Sequence, residues 1–266
     1  MCDRRVAGMA DFGGRWAAEG FSSHRHLNAG GYSQNVLTDR RILITGASSG
    51  IGRGLALVFA GHGAQVWGVG RDEQRLAEVR ASAGSDRVST IAVDLTSSTG
   101  PTSVADALGE EGVDVVIHAA GLLGPADTAL VDYPEDVWND VLAANLTAVQ
   151  RLHRVLSPIL DRGINPTVIA LSSTVGREAR AGWGAYAISK HALEAWVATL
   201  ALEWHGRVYS VNPGATRTPM RAAAAPDEDP ATLPTAQDIA PIFVRLASAE
   251  VDEESGTLFN ARDWIN

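Results

Sequence analysis

This chain of 266 residues is short of several things. It has one lysine: of its 22 basic side chains, all but Lys190 are arginine. It has one cysteine, Cys2, which excludes an internal disulfide framework and suits a reducing compartment. Clustered positive charge is missing, and the formal net charge of −9 argues against a nucleic-acid surface. No apolar run reaches membrane-spanning length. Arg4 and Arg5 are not followed by the apolar stretch of a secretory signal. Apolar residues at 45% and charged residues at 20% are ordinary for a globular protein, and a cytoplasmic location is the expectation.

A sequence that writes arginine almost everywhere marks the one place where it writes lysine. Arginine is a planar fork that stays charged, whereas lysine is a compact ammonium on a flexible stem. Lys190 follows Tyr186 by four positions in Tyr186-Ala187-Ile188-Ser189-Lys190, which on a helix puts both on one face, one turn apart. A cation beside a phenol favours phenolate, so Lys190 is expected to lower a pKa that otherwise lies near 10 (about 10 in model peptides). Taken alone, the pair reads equally as a surface lysine next to a helical tyrosine.

Residues 1–35 carry Gly, Ser, Ala, His and Arg without sustained periodicity and read as a flexible extension. From residue 36 to 266 the pattern is that of one domain. Apolar strands are expected at Arg41–Thr45, Gln65–Val69, Val88–Val93, Asp114–His118, Thr167–Leu171, Arg207–Val211 and Thr257–Asn260. Helices are expected between them: Ile51–Ala60, Glu73–Arg80, a weak one at Val104–Leu108, a long one from Pro134 to about Leu160, Trp183–Trp204 and Ala236–Ala247. Continuously apolar strands that alternate with helices imply a parallel sheet covered on both faces, a doubly wound α/β fold of the Rossmann-like kind with about seven strands.

The first strand runs into Thr45-Gly46-Ala47-Ser48-Ser49-Gly50-Ile51-Gly52 and then a helix. Glycines there permit a tight turn and let the backbone approach a pyrophosphate at the helix N-terminus. With Asp94, His118-Ala119-Ala120-Gly121, Asn145, Ser173, Tyr186-x-x-x-Lys190 and Asn212-Pro213-Gly214 in that order, the chain resembles the single-domain branch of the short-chain dehydrogenase/reductase family. The resemblance covers about residues 38–262.

The resemblance implies a set of roles. Tyr186 gives a proton to a carbonyl oxygen in reduction or takes one from an alcohol in oxidation, and Ser173 hydrogen-bonds that oxygen. Lys190 lowers the tyrosine pKa and binds the nicotinamide ribose, while Asn145 holds a water that links Lys190 to solvent. Gly46, Ser48, Ser49, Gly50, Ile51 and Gly52 would cradle the pyrophosphate, with Ala119, Ala120 and Gly121 alongside. Asp94 and Leu95 would meet the adenine. Pro213, Gly214, Thr216 and Thr218 would border the nicotinamide, with Thr218 on its carboxamide. The second strand ends Val69-Gly70-Arg71. An acid at that strand end would repel a ribose 2′-phosphate and an arginine accommodates it, so the expected cofactor is NADP rather than NAD. Ser49 departs from the basic residue that many NADP users place there. His118 departs from the family's usual asparagine and is expected to be structural.

The expected substrate is a small carbonyl compound or alcohol. Its candidate lining is Leu122, Leu123, Arg177, Trp183 and Met220, under a short alanine-rich lid from Met220 to Leu233. The strongly apolar stretch Leu193–Trp204 points to a homodimer or homotetramer formed through this helix and the one that carries Asn145. A regulator or scaffold that binds NADP(H) without turnover is the rival reading, and the complete set Asn145, Ser173, Tyr186 and Lys190 argues against it.

Overall fold

The structure, a computed structural model, describes residues 35–265, so the extension expected over residues 1–35 lies outside the described residues except for Asn35. Among the described residues the strands are β1 Arg41–Thr45, β2 Gln65–Gly70, β3 Val88–Ala92, β4 Val115–His118, β5 Thr167–Leu171, β6 Arg207–Asn212 and β7 Leu258–Asn260. They form one parallel sheet in the order β3-β2-β1-β4-β5-β6-β7. The helices are α1 Gly50–Gly61, α2 Glu73–Ser82, α3 Gly100–Leu108, α4 Glu135–Leu142, α5 Ala148–Leu160, α6 Gly184–Glu203, α7 Pro219–Ala224 and α8 Ala240–Ala247. No described helix is long and apolar enough to cross a membrane.

Successive strand side chains point to opposite faces, and this sorts the apolar runs into two cores. Ile42, Ile44, Val115, Ile117, Ile169 and Val211 pack with Leu55 and Phe59 of α1, Leu76 of α2 and Phe243 of α8. Leu43, Val116, Val168, Ala170 and Val208 pack on the other side with Val104 of α3, Leu152 and Leu156 of α5, and Leu193 and Val197 of α6. The chain leaves β1 toward β2 and β3 on one side and resumes at β4 on the other. The reversal opens a crevice at the carboxyl ends of β1 and β4, the usual ligand position in such sheets.

Four elements differ from expectation, one of them the last helix, which starts at Ala240 instead of Ala236. The long helix after Pro134 is interrupted: α4 and α5 are joined by a π turn, Ala143–Thr147, which contains Asn145. The weak helix starts earlier, at Gly100, because Pro101 suits a first helical turn. The lid segment contains α7, capped by Thr218, whose hydroxyl accepts a hydrogen bond from the Arg221 main-chain N–H at 3.1 Å.

Two histidines are buried among tryptophans between the sheet and α5 and α6. The His118 ring lies 5.9 Å from Trp196, and His153 lies 5.5 Å from Trp196 and 5.2 Å from Trp204. Among the described residues, His118 Nε2 and His153 Nδ1 have no hydrogen-bond partner. Loss of hydration holds both neutral, with pKa values of about 3 for His118 and about 4 for His153. A histidine whose folded pKa is depressed contributes stability that is intact above its unfolded pKa, near 6.5 (roughly). That stability drains as pH falls toward about 4 for His153 and about 3 for His118. Asp94 and Asp114, both held below the ordinary carboxylate value of 3.8, lose their contribution as pH falls below that value and so overlap only the low end of this range. The thermal midpoint is therefore expected to decline between about pH 6.5 and 4, ahead of the carboxylate range. The double variant His118→Asn, His153→Leu should decline less steeply over that window, as read by calorimetry. Equal slopes in the two proteins would remove the histidines from this account.

Candidate active site

The glycine loop after β1 is packed too closely to admit side chains. A methyl group on Gly52 would lie 2.5 Å from the Gly46 carbonyl oxygen, and one on Gly46, where φ is +70°, would lie 2.8 Å from the Ala120 main chain. The Thr45 hydroxyl accepts hydrogen bonds from the N–H groups of Ala119 and Ala120, both at 3.1 Å, and so ties the exit of β4 to that of β1. α1 starts directly behind the loop with no acidic residue in its first turn. Its exposed N–H groups and positive end are free to face an anion. A close backbone cradle under an uncompensated helix N-terminus fits a pyrophosphate.

The loop opens on a cleft of about 460 Å³. At one end its wall holds Ser48, Ser49, Gly50, Ile51, Arg71, Asp94 and Leu95, and its floor holds Ala119, Ala120 and Gly121. Gly70 puts no carboxylate at the end of β2, where a Cβ would lie 3.1 Å from Ser48 Oγ, and Arg71 is the first charged group beyond it. Asp94 accepts from the main-chain N–H and hydroxyl of Thr96 at 2.9 and 2.7 Å, which, with Arg71 nearby, holds its carboxyl below the ordinary range. Thr96 also lines the cleft. It was not anticipated, although a hydroxyl two residues after an aspartate is a recurrent turn pattern.

At the other end are Tyr186, Lys190, Pro213, Thr218 and Met220. Tyr186 and Lys190 are both buried on α6, and Lys190 Nζ lies 5.8 Å from the centre of the tyrosine ring. Nζ donates to the Leu171 carbonyl at the end of β5, at 2.7 Å. Desolvation lowers the Lys190 pKa to about 8, against the opposing charge of Glu194. The expected downward pull of Lys190 on Tyr186 is corrected here. Burial raises the phenol pKa, and the counteracting influence is the neighbouring Ser173 side chain.

Several expected residues lie off the cleft wall. Leu123 and Trp183 pack with Leu122, Tyr133, Tyr186 and Met220 in an apolar cluster, with the Trp183 ring 5.9 Å from that of Tyr186. Thr216 is buried, and its hydroxyl donates within the Pro213–Gly214 turn, at 3.3 Å to the Pro213 carbonyl. Ser172 rather than Ser173 borders the cleft, yet it is Ser173 that meets Tyr186.

Asn145 is a clamp. Its Oδ1 accepts from Leu122 N–H at 2.7 Å, and its Nδ2 donates to the Leu122 carbonyl and to Ser189 Oγ, both at 2.9 Å. These contacts occupy both donors of the amide. Ser189 in turn donates to the Tyr186 carbonyl at 2.7 Å and joins the π turn to the helix of Tyr186. Its place three positions after Tyr186 was the available signal.

Arg177 is also corrected. It does not line the cleft; its guanidinium is bonded to Glu194, Asn260 and Ser210.

Comparison with known proteins settles the family. Residues 40–229 match the family described as short chain dehydrogenase. The chain is 38% identical over 238 residues to the uncharacterized oxidoreductase YciK of Escherichia coli K12, a match covering 86% of this chain and 94% of that protein. It belongs to the short-chain dehydrogenase/reductase family.

It is therefore an NAD(P)-dependent oxidoreductase with that family's Rossmann-like fold. A short chain dehydrogenase from Shigella flexneri, crystallised with NADP, superposes with a TM-score of 0.83 at 38% identity, over 86% of this chain and all of that one (100%). One from Escherichia coli CFT073, crystallised with NADPH, gives 0.81 at 38% identity, over 87% of this chain and 100% of that one. The 3-oxoacyl-[acyl-carrier-protein] reductase FabG of Salmonella typhimurium is 30% identical over 227 residues, 80% of this chain and 92% of that protein. In this dehydrogenase Gly52→Ala sets a methyl against the Gly46 carbonyl and displaces the loop. Dinucleotide affinity measured by titration calorimetry should fall at least about tenfold, equivalent to about 1.4 kcal/mol. Unchanged affinity would mean that the loop is not the cradle.

Proposed function

We propose that this enzyme uses NADP(H) to move a hydride between the nicotinamide and a carbonyl or secondary alcohol carbon, with Tyr186 as general acid and base. One observation carries the reading: Tyr186 and Lys190, both buried on α6, stand together at one end of a cleft whose far end is a close-packed glycine loop, with the Ser173 side chain beside the phenol. The relatives crystallised with NADP and NADPH support the cofactor, as does Arg71 at the end of β2.

In this reading residues 36–266 act as one catalytic domain. Gly46 to Gly52 hold the pyrophosphate, Arg71 meets the 2′-phosphate, Asp94 and Leu95 border the adenine, and Pro213, Gly214, Thr216 and Thr218 border the nicotinamide. The bound nicotinamide supplies or accepts the hydride. As negative charge grows on the carbonyl oxygen, Ser173 hydrogen-bonds it and Tyr186 delivers its proton. The raised phenol pKa keeps that proton in place until the oxygen demands it. Lys190, with a pKa of about 8, holds the ribose hydroxyls and exchanges protons near neutral pH. Asn145 fixes the Leu122 backbone and, through Ser189, the start of the helix that carries Tyr186 and Lys190. Leu122, Leu123, Trp183 and Met220 give the substrate an apolar berth beside Tyr186. The enzyme pairs as a homodimer or homotetramer through α5 and α6, where Leu202 stands 89% exposed.

The test is a panel of carbonyl compounds and alcohols assayed with both nicotinamides by cofactor absorbance. Tyr186→Phe should lose at least about 100-fold in turnover while NADPH affinity stays near wild type. Near-full activity in that variant would remove Tyr186 as the proton donor. Arg71→Ala should weaken NADPH binding about tenfold or more and leave NADH nearly unchanged, consistent with loss of one charged contact. Tighter binding of NADH than of NADPH by the wild-type enzyme would contradict the assignment of Arg71. NADPH binding without turnover across the whole panel would favour a regulatory protein.

A further inference from the structure

One helical turn beyond Lys190 lies a buried ion pair that the reaction above does not use. Glu194 is 7% exposed, and its Oε1 accepts from Arg177 Nε at 2.9 Å, while its Oε2 is buried without a partner among the described residues. Residues four apart on a helix are neighbours on one face, so this carboxylate belongs to the surroundings of Lys190. Arg177 arrives on the turn Thr174–Gly176 that follows β5. That turn packs directly on the lysine stem: a methyl group on Gly176 would lie 2.8 Å from Lys190 Cβ.

The guanidinium reaches further. Nη1 donates to Asn260 Oδ1 at 2.9 Å and Nη2 to Ser210 Oγ at 3.4 Å. Asn260 Oδ1 also accepts from Asn212 Nδ2 at 3.2 Å, and Asn212 Oδ1 accepts from Gly214 N–H at 3.0 Å. A continuous set of polar contacts thus runs from the helix of Lys190 to the Pro213–Gly214 turn of the cleft.

We propose that Glu194 is a positioning residue for Lys190: its carboxylate, fixed by Arg177, keeps the buried ammonium charged, and the same guanidinium ties that charge to the Pro213–Gly214 turn. The inference rests on the proposed role of Lys190. A buried ion pair is poor value as a fold stabiliser, since apolar residues of the same volume commonly serve as well. Its presence next to a desolvated ammonium gives it a purpose. The other groups around Lys190 do not supply negative charge. Tyr186 on the same helix is protonated at neutral pH, with its pKa raised by burial. His118, from β4, is neutral above about pH 3. Asn145 and Ser189 are uncharged, Leu171 offers a carbonyl, and Arg177 is a cation masked by Glu194.

The single lysine makes this testable without a substrate. In the full-length protein labelled with ¹³C-lysine, one side-chain Cε resonance reports Lys190, and its titration gives the pKa directly. The wild-type midpoint should lie near the value of about 8 given by the surroundings of Nζ. Glu194→Gln, which keeps the shape and removes the charge, should lower it by about one unit or more, the usual influence of an opposite charge a few ångströms away. Glu194→Asp, which keeps the charge but draws it back, should lower it less. Glu194→Gln folding with the wild-type midpoint would overturn the proposal. The pH profile of carbonyl reduction should move with the NMR midpoint in each variant. A midpoint that moves while the profile stays would support Glu194 and remove Lys190 from proton transfer, so the two readings fail separately.

Discussion

An ammonium taken out of water at position 190 makes demands that the surrounding structure meets one by one. Desolvation favours the neutral amine, and the Lys190 pKa falls to about 8. Nζ recovers one hydrogen bond from the Leu171 carbonyl, because β5 ends there and leaves that carbonyl beside α6. A glycine at 176 lets the following turn close on the lysine stem. Glu194 restores part of the lost electrostatic support, and Arg177 satisfies Glu194 in turn.

The fold brings these demands to the right edge of the sheet. β1 and β4 part at the reversal of strand order, and the Thr45 hydroxyl holds their exits together. This gives the glycine loop and the Ala119–Gly121 segment a common floor. Asn145, in the π turn between α4 and α5, grips the Leu122 backbone on one side and Ser189 on the other. The cleft is thereby held from both walls by short polar contacts, while the apolar cluster around Tyr186 supplies the water-poor surroundings in which they are strong.

Much of this was legible in the sequence. Continuous apolar strands, the glycine loop directly after the first strand and the four-residue spacing from Tyr186 to Lys190 depend on local pattern, and the fold reproduces them. The rest depends on partners far apart along the chain. Arg177 reads as a pocket residue from its neighbours, but its partners are Glu194, 17 residues on, and Asn260, 83 residues on. The π turn has no composition of its own, and Asn145 becomes a clamp only because Leu122 is brought beside it. The sign of the Tyr186 shift escaped prediction for the same reason: burial is a property of the assembled cluster, not of a tyrosine and a lysine four residues apart.

Under the proposed mechanism, position 190 requires a compact ammonium able to release a proton, not merely a positive charge. Lys190→Arg is the direct measurement, with NADPH affinity and carbonyl turnover determined on the same preparation. Arginine keeps the charge but holds its proton at any working pH and cannot fit the same space. The account predicts a loss of turnover of at least about 100-fold with NADPH affinity reduced far less. Turnover close to wild type in that variant would contradict it, because charge alone would then suffice.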